Sequence, residues 1–341
     1  MRQVWISKHG LPQVLQLKEG PDPAPCEGEV RIDVHFSGIN FADILARMGL
    51  YPDSPKVPCV IGYEVSGLVD KMGEGVDSSW IGRRVVSFTR FGGYSDKVIV
   101  AADQLAEVPE NVSLEAAAAL PVNYLTAYIM MVEQARLRAG DTVLIHGIGG
   151  GVGIAALQLA SILEADVIGT ASAGKHDRLR KMGVEKLIDY REEDFTERTM
   201  QMTDGTGVDL VLDPIGGKSF WRSYQCLRPL GNVIFYGFSA SAPGKKRSLI
   251  SGLKALLSTK RYHPIRLVNA NKGVMGCNLG HLWQERKRLR RGITQLVEWL
   301  GEGKITPVVD EIFPLEQAAE AHRYIQDRKN FGKVLLASNE K

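Results

Sequence analysis

The chain has 341 residues, of which 44% are hydrophobic and 24% are charged, and its formal net charge is +3. This length and composition suit a globular protein of roughly two domains and exclude disordered and collagen-like architectures. The most apolar stretch is Leu114 to Val132. Glu115, Pro121 and Asn123 interrupt it and exclude a lipid-spanning helix of about 20 apolar residues. The N-terminus lacks the features of a signal peptide, so we expect a cytoplasmic protein.

The first part of the chain, to about residue 120, is rich in short β-branched runs that Gly and Pro separate. These runs are Glu29–Phe36, Gly67–Lys71, Arg84–Phe88 and Gly93–Val100. Such spacing predicts an antiparallel β domain. The four cysteines (Cys26, Cys59, Cys226 and Cys277) lie far apart and form no CxxC pair. We therefore expect buried, reduced thiols and neither a disulfide framework nor a zinc ribbon.

From about residue 123 to 278, apolar runs alternate with helical segments. The runs are Thr142–His146, Asp166–Thr170, Lys186–Asp189, Val208–Asp213 and Asn232–Tyr236. Repeated strand–helix units predict an α/β fold with a doubly wound parallel sheet. A helix near Gln284–Leu300, a strand near Val308–Phe313, a helix from Leu315 and a strand at Gly332–Ala337 follow. We expect one domain from residues 1–122 and 279–341, and a coenzyme domain from residues 123–278.

A glycine cluster follows the strand Thr142–His146 and precedes an apolar helix at Ile154–Leu163. Its spacing is Gly147-x-x-Gly150-x-x-Gly153, which departs from the strict dinucleotide register. Glycines at such a junction let backbone N–H groups approach a pyrophosphate at a helix N-terminus. We therefore predict that a dinucleotide binds at Gly150, Gly151, Val152 and Gly153. The alternative is a tight turn without a ligand.

The end of the next strand bears on which dinucleotide is bound. A site for NAD usually has an acid about 20 residues after the glycine motif, where it binds the ribose. Here the sequence is Thr170-Ala-Ser-Ala-Gly-Lys175. The missing acid, the hydroxyl of Ser172 and the cation of Lys175 favour the 2′-phosphate of NADPH. Lys175 as a solvated residue is the alternative, and Asp177 weakens the NADPH prediction.

The chain resembles the medium-chain dehydrogenase/reductase superfamily, and within it the zinc-free, zeta-crystallin-like quinone oxidoreductase branch. The resemblance spans nearly the whole chain. Its marks are Ser37–Asp43, Gly49–Pro52, Pro58–Glu64, Gly92–Tyr94, Ala117–Pro121, Leu125–Tyr128, the glycine loop, Ile188–Arg191 and Asp213–Gly217. Asn271–Trp283 looks most like the subgroup of vesicle amine-transport-protein homologues. The resemblance implies a Rossmann coenzyme domain and a GroES-like substrate domain.

The resemblance also bears on metal binding. Zinc members of the superfamily have a Cys where this chain has Asn40. They have a His where this chain has Tyr63, between Gly62 and Glu64. Two ligands are therefore replaced, and we predict no metal. Tyr63 is expected on the floor of the substrate cleft, where it restricts substrate size or donates a hydrogen bond. Core packing is the alternative for Tyr63.

Without a Lewis acid, the chemistry that suits the site is hydride transfer from NADPH to an electron-poor acceptor. The expected substrates are quinones, or enones and enoyl compounds. Tyr51 matches a tyrosine that related enoyl reductases place over the nicotinamide, so it is expected to donate a proton or to act as an aromatic lid. Asn40 is expected beside the nicotinamide, where it binds a ribose hydroxyl or a substrate oxygen.

Further cofactor residues are implied by the same resemblance. Thr126 is expected near the nicotinamide, and Tyr190 against the adenosine phosphate. Gly237, Phe238 and Asn278 are expected to border the nicotinamide end. Each has a plainer alternative, such as helix packing for Thr126 and core packing for Phe238. The strand near Val274–Asn278 resembles an edge that pairs with a second copy, so we expect a homodimer.

Charge is distributed unevenly along the chain. From Lys245 to Gly292, thirteen Lys and Arg stand against one acid, Glu285, so this stretch carries +12 and the rest of the chain −9. Solvated helix faces explain such runs most simply, and docking to an acyl carrier protein or to an anionic membrane surface are the alternatives. Leu249–Leu257 is expected to form a lid. No recognition motif suggests nucleic acid. The competing function is a nucleotide-bound membrane- or partner-binding regulatory protein with little turnover.

Overall fold

A computed structural model of the protein describes residues 1–241 and 262–338. They form two compact units, one from residues 1–125 with 280–338 and the other from residues 126–241 with 262–279. The assignment of substrate and coenzyme roles to these two parts of the chain stays a prediction. The expected lid at Leu249–Leu257 and the basic residues between 245 and 261 lie outside the described residues.

Both units are built around β-sheets, and the following residues form their strands. They are β1 Arg2–Ile6, β2 Leu15–Glu19, β3 Glu29–Ile39, β4 Cys59–Val60, β5 Glu64–Met72, β6 Arg84–Phe88, β7 Lys97–Ala101, β8 Leu105–Glu107, β9 Thr142–His146, β10 Asp166–Ala171, β11 Lys186–Asp189, β12 Val208–Asp213, β13 Leu227–Phe235, β14 Gly273–Gly276, β15 Val309–Pro314 and β16 Lys333–Ala337. The N-terminal strands are antiparallel, as the sequence predicts, whereas those from β9 to β14 are parallel.

Helices connect these strands. They are α1 Phe41–Met48, α2 Leu114–Ala118, α3 Pro121–Tyr128, α4 Gly151–Ile162, α5 His176–Lys181, α6 Phe195–Met202, α7 Lys218–Gln225, α8 Pro264–Ala270, α9 Arg286–Gly301 and α10 Ala318–Gln326. A π-helical turn, Ile129–Gln134, continues α3. None of the helices in residues 1–241 and 262–338 has the length and apolar character that crossing a bilayer requires.

The first unit contains two sheets. One has the order β2-β1-β4, and the other has the order β15-β16-β3-β5-β6-β8 with β7 also paired to β3. Apolar and polar residues alternate along the first part of β3, so Val30, Ile32 and Val34 point to the same face and are buried in one hydrophobic cluster. The C-terminal strand β16 pairs antiparallel with β3, from Val334 opposite Ile39 to Ala337 opposite Phe36. This pairing brings the end of the chain beside α1.

The second unit is a six-stranded parallel sheet of order β11-β10-β9-β12-β13-β14. Its central strands are continuous apolar runs, and Leu144, Val211 and Val233 are completely buried, as expected for a sheet covered on both faces. The strand order reverses between β9 and β12, where ligands bind in sheets of this type. The predicted α/β class, with a Rossmann sheet and a GroES-like domain, is confirmed.

Several predicted boundaries and one predicted burial are wrong. Strand β5 begins at Glu64, three residues before the expected Gly67, and β3 continues to Ile39, three residues beyond the expected Phe36. The strand expected from Gly93 starts at Lys97 (β7), and the strand expected from Asn232 starts at Leu227 (β13). Helix α4 begins at Gly151, three residues before the apolar run that predicted it. Cys26 is exposed, because it lies in the loop before β3, while the other three cysteines are buried thiols as expected.

Candidate functional site

The glycine loop joins β9 to α4 and has the backbone geometry that its sequence implies. Gly147 has a φ of +63°, a conformation that favours glycine. A Cβ on Gly153 would lie 2.5 Å from the carbonyl oxygen of Gly147, so only glycine lets the loop close onto the helix. Gly150 is the N-cap and supplies no side-chain cap. The first-turn amides of Gly151, Val152 and Gly153 are therefore the natural donors to an anion.

The turn after β10 contains both residues predicted to bind a 2′-phosphate. Ser172 precedes a short 3₁₀ turn, Ala173–Lys175, so its hydroxyl and the Lys175 ammonium belong to one turn. The nearest acid on the neighbouring strand is Asp189. Its Oδ2 accepts from the Ala173 amide at 3.1 Å and its Oδ1 from the Arg191 amide at 3.0 Å. The Asp189 carboxylate thus accepts from backbone amides on both sides and links this turn to the end of β11.

The residue after β11 is Tyr190, whose side chain is 37% exposed. The guanidinium of Arg191 lies 6.0 Å from the centre of its ring, within cation–π range. Arg191 was not among the predicted site residues, although it stands beside Tyr190 in the same family motif. The two side chains together present an exposed ring and a cation at the end of β11.

Gly237 and Phe238 lie against the loop that follows β12. A Cβ on Gly237 would lie 2.9 Å from the Pro214 carbonyl oxygen, and a Cβ on Gly216 would lie 2.6 Å from the ring of Phe238. The amide of Cys277 donates to Phe235 at 2.9 Å, so Asn278 follows directly where β14 leaves the sheet. The structure thus brings Gly237 and Phe238 together and places Asn278 at the end of the neighbouring strand. Thr126 is buried in α3, and its cofactor role stays a prediction.

In the first unit, Asn40 belongs to a buried polar cluster with Glu64 and Lys333. The Lys333 Nζ donates to Asn40 Oδ1 at 2.8 Å and also to Glu64 Oε1. The Asn40 Nδ2 donates to the same Glu64 oxygen at 2.7 Å, and the amide of Val122 donates to Glu64 Oε2 at 2.7 Å. The Asn40 amide is therefore held in one orientation by an ion pair.

Asp43 lies next to this cluster and is completely buried. Its carboxylate accepts from the amide of Asn40 at 2.8 Å and from the amide of Gly62 at 3.0 Å. Burial raises the pKa of Asp43 to about 7, although these two hydrogen bonds and the charge of Lys333 act in the opposite direction. Asp43 thereby fixes the N-terminus of α1, and with it the backbone of Asn40.

Sequence reasoning did not identify Lys333, and it gave Glu64 and Asp43 only as parts of family motifs. Lys333 is 293 residues from Asn40 in the chain. No local pattern links the two positions. The only available signal was a lysine at the start of an apolar strand, where a charge is out of place unless a partner is buried beside it.

Tyr51 and Tyr63 come together as edge-to-face rings, with centroids 6.1 Å apart. Phe91 packs on the other side of Tyr63, at 5.1 Å between centroids. Tyr63 is buried, and burial raises the pKa of its phenol, with the nearby Asp43 and Tyr51 adding to the effect. The phenol of Tyr63 is therefore protonated at neutral pH, and its ring packs against the ring of Tyr51.

The residues at the two ligand positions of the zinc-binding members are a neutral amide, Asn40, and a phenol, Tyr63. Both are weak ligands for zinc compared with thiolate and imidazole. Across residues 1–241 and 262–338, no group of three or more His, Cys, Asp or Glu side chains is arranged to hold a metal ion. The donor set of this region is suited to hydrogen bonding with an organic substrate.

Comparisons with known proteins identify the family of this chain. The GroES-like domain of alcohol dehydrogenases matches residues 26–110, and a family described as zinc-binding dehydrogenase matches residues 182–336. The rat synaptic vesicle membrane protein VAT-1 homolog is 39% identical over 323 residues, which cover 94% of this chain and 80% of the relative. The bovine quinone oxidoreductase-like protein 2 is 33% identical over 312 residues, covering 91% and 85% of the two chains.

Solved structures give the same result. The human VAT-1 homolog-like protein superposes with a TM-score of 0.86 at 34% identity, covering 100% of this chain and 99% of the other. Escherichia coli quinone oxidoreductase, solved with NADPH, has a TM-score of 0.88 at 31% identity, with 99% and 100% covered. The CurK enoyl reductase has a TM-score of 0.85 at 26% identity, with 98% of both chains covered. The chain belongs to the medium-chain dehydrogenase/reductase superfamily of oxidoreductases, in which VAT-1 homologues and quinone oxidoreductases are among its relatives.

Proposed function

We propose that this protein is an NADPH-dependent, zinc-independent reductase that transfers hydride to quinones or to the β-carbon of α,β-unsaturated carbonyl and enoyl compounds. The observation that carries the proposal is the Asn40–Glu64–Lys333 cluster. Where the zinc members of the superfamily have a thiolate ligand, this chain has a neutral amide that an ion pair holds in place. Such an amide orients a polar acceptor but does not polarise it as a metal ion would.

The residues of the second unit fit NADPH. The first-turn amides of α4 suit the pyrophosphate, because the glycines of the loop leave no side chain in the way. Ser172 and Lys175 suit the 2′-phosphate, and the ring of Tyr190 suits the adenosine portion. Thr126, Gly237, Phe238 and Asn278 are assigned to the nicotinamide portion. Bound NADPH supplies the hydride.

Asn40 is proposed to bind a substrate oxygen or a ribose hydroxyl. Its Oδ1 accepts from Lys333, and one hydrogen of its Nδ2 is committed to Glu64. A primary amide nitrogen has a second hydrogen, which is the one that Asn40 offers to the ligand. The charge of Lys333 withdraws electron density from the amide, so this second hydrogen is a better donor than that of a solvated asparagine.

Tyr51 is proposed as the proton donor when the substrate is an activated alkene. Hydride addition to the β-carbon leaves a carbanion or enolate that takes up a proton, and a phenol donates one at neutral pH. A quinone, by contrast, becomes a hydroquinone whose oxygen atoms can take protons from water. The two substrate classes therefore differ in how strongly they depend on the Tyr51 hydroxyl.

The proposal is tested by following the loss of reduced-nicotinamide absorbance with NADPH or NADH and a panel of quinones, enones and enoyl thioesters. We expect turnover with NADPH. In Tyr51→Phe we expect alkene reduction to fall about 100-fold, the usual contribution of a general acid, and quinone reduction to change little. Tyr224→Phe, which alters a buried phenol in the core of the second unit, is the matched control.

Two outcomes would contradict the proposal in different ways. Equal effects of Tyr51→Phe on quinones and alkenes would leave Tyr51 as an aromatic lid. Tight NADPH binding without turnover across the whole panel would favour the alternative function, a nucleotide-bound regulatory protein that binds a membrane or a protein partner.

A further inference from the structure

Four polar side chains form a buried line beneath the loops at the carboxyl edge of the parallel sheet. They are Thr170, His146, Ser223 and Asp213, and each is 1% exposed or less. His146 Nδ1 lies 3.2 Å from Thr170 Oγ1, and His146 Nε2 lies 3.0 Å from Ser223 Oγ. Ser223 Oγ lies 2.7 Å from Asp213 Oδ2. Nothing in the proposed reaction uses these groups, although His146, Thr170 and Asp213 lie at the carboxyl ends of β9, β10 and β12 and Ser223 lies on α7.

At the Asp213 end of this line, the donor and the acceptor of each hydrogen bond can be assigned. Asp213 Oδ1 accepts from the amides of Ile215 at 2.7 Å and Gly216 at 3.0 Å. The Ser223 hydroxyl has a single hydrogen, which Asp213 Oδ2 at 2.7 Å and the Ser219 carbonyl oxygen at 3.0 Å can both accept. Ser223 Oγ can then only accept from His146, so the hydrogen of the imidazole is on Nε2.

The donors and acceptors at the Thr170 end can be assigned in the same way. The amide of Gly147 donates to Thr170 Oγ1 at 3.2 Å. Because Nδ1 carries no hydrogen in the Nε2–H tautomer, the Thr170 hydroxyl donates to Nδ1 across their 3.2 Å separation. Burial lowers the pKa of His146, the negative charge of Asp213 opposes this by raising it, and the positive charge of Arg222 lowers it; the net shift is downward, so the ring is neutral and Nδ1 is an acceptor. The ring of Phe195 packs edge to face on the imidazole, with centroids 4.6 Å apart, and fixes its plane.

We propose that His146 is a positioning residue: as the neutral Nε2–H tautomer, it connects the glycine loop at Gly147 to the loop after β12 at Asp213–Gly216. The line runs from the Gly147 amide to the amides of Ile215 and Gly216, and the Ser223 hydroxyl also lies 3.0 Å from the Ser219 carbonyl oxygen. A buried line with every partner satisfied has one arrangement of low energy. The two loops are therefore held in one relative position before a cofactor binds.

A consequence for NADPH binding rests on the proposed function. The glycine loop is assigned to the pyrophosphate, and Gly216 packs against Phe238, which is assigned to the nicotinamide portion. A cofactor that contacts both loops binds more tightly when their separation is already set, because less ordering accompanies binding. His146 thus affects affinity without touching the cofactor.

The tautomer is measured first, by ¹⁵N NMR of histidine-labelled protein without cofactor. The chain has seven histidines, so His146→Gln assigns the resonance by its disappearance. We expect protonated Nε2 and unprotonated Nδ1. A proton on Nδ1, or a rapidly averaging ring, would overturn the proposal.

The connection itself is measured by hydrogen exchange, also without cofactor. Thr170→Val and Ser223→Ala break the line at opposite ends. His146→Asn keeps an amide at the Nδ1 position, and His146→Gln keeps one at the Nε2 position. We expect each variant to speed exchange at both Gly147–Gly150 and Ile215–Gly217 by about tenfold, the effect of losing one ordering hydrogen bond. Faster exchange confined to the loop nearest the substitution would contradict the connection.

Thr199→Val is the matched control, because Thr199 is a fully buried threonine of the same unit whose hydroxyl is outside the line. We expect it to leave exchange in both loops unchanged. The dissociation constant for NADPH, measured by fluorescence titration, should rise about tenfold in Thr170→Val and Ser223→Ala and stay constant in Thr199→Val. A wild-type protein that does not bind NADPH would contradict the proposed function, whereas the tautomer and exchange results would still decide the role of His146.

Discussion

At the scale of single residues, one buried ion pair holds the side chain of Asn40 in place. Lys333 and Glu64 are both almost completely buried, and removing two charges from water costs several kcal/mol for each ion. Their mutual attraction and four hydrogen bonds, including those to Asn40 and the amide of Val122, offset this cost. The pair therefore contributes little net stability, and its effect is to hold the amide of Asn40 in one orientation.

This balance predicts the result of removing one partner. In Lys333→Met, the Glu64 carboxylate is left buried without a counter-charge, so we expect the free energy of unfolding to fall by about 3–5 kcal/mol near pH 8. In the double variant Glu64→Gln with Lys333→Met, no buried charge is left, and we expect most of that loss to be recovered. Urea unfolding followed by tryptophan fluorescence measures both. A double variant as unstable as Lys333→Met alone would show that the loss comes from packing.

Asp43 predicts a pH dependence. Its pKa is about 7 in the folded protein against 3.8 ordinarily, so the folded protein binds this proton more tightly than the unfolded chain does. The stabilising contribution is complete below about pH 4 and is lost as the pH rises through 7. A shift of this size corresponds to about 4 kcal/mol over that range.

The comparison of wild type with Asp43→Asn isolates this contribution. The variant places an amide NH₂ group opposite one of two backbone donors, so we expect lower stability at every pH. The decisive quantity is the change in unfolding free energy between pH 4 and 8, which should be smaller in the variant by about 4 kcal/mol. Parallel curves for the two proteins would mean that Asp43 does not titrate in this range.

At the scale of single elements, the turn after β10 determines the expected preference between coenzymes. Lys175 ends the 3₁₀ turn that Asp189 holds in place. We expect Lys175→Ala to raise the KM for NADPH about tenfold and to leave the KM for NADH unchanged, because only NADPH has the 2′-phosphate. Arg180→Ala, which removes an exposed cation of α5, is the control. An equal rise for both coenzymes would contradict the assignment of Lys175.

The parts that the sequence predicted well are those where the local pattern is sufficient. The runs Arg84–Phe88, Lys186–Asp189 and Val208–Asp213 became strands with the same bounds, because a short apolar run between turn residues has few other structures. The start of α4 was missed, because Gly151 and Gly153 are poor helix formers, and Gly153 is required by its close packing with Gly147. Lys333 was missed because only the pairing of β16 with β3 brings it to Asn40.

At the scale of the whole molecule, the structure describes the basic stretch from Lys245 to Gly292 only from residue 262 onward. Arg286, Lys287, Arg288, Arg290 and Arg291 are exposed on α9, whose other face buries Ile293, Leu296 and Leu300. Arg286 pairs with Asp103 at 2.6 Å, and Arg288 lies 3.7 Å from Glu285. This amphipathic arrangement is the one expected for a solvated helix face, the simplest of the three interpretations.

The edge of the parallel sheet gives the prediction about assembly. Within residues 1–241 and 262–338, strand β14 is the outermost of the six and pairs only with β13, and an edge of this kind pairs readily with another chain. Near this edge, Val268 and Ile265 of α8 are 71% and 62% exposed, and Leu230, whose amide donates to Asn271, is 82% exposed. Three large apolar side chains at an open strand edge are unfavourable in a monomer.

We therefore expect a homodimer of two 37.5 kDa chains in solution, with β14 and α8 at the contact. Ile265→Asp combined with Val268→Asp places two charges on that surface and should shift the mass, measured by light scattering after size exclusion, to that of one chain. Leu11→Asp and Leu17→Asp alter exposed apolar residues of the first unit and should leave the dimer intact. A dimer that persists with both aspartates would place the contact elsewhere. A monomeric wild type would contradict the homodimer itself.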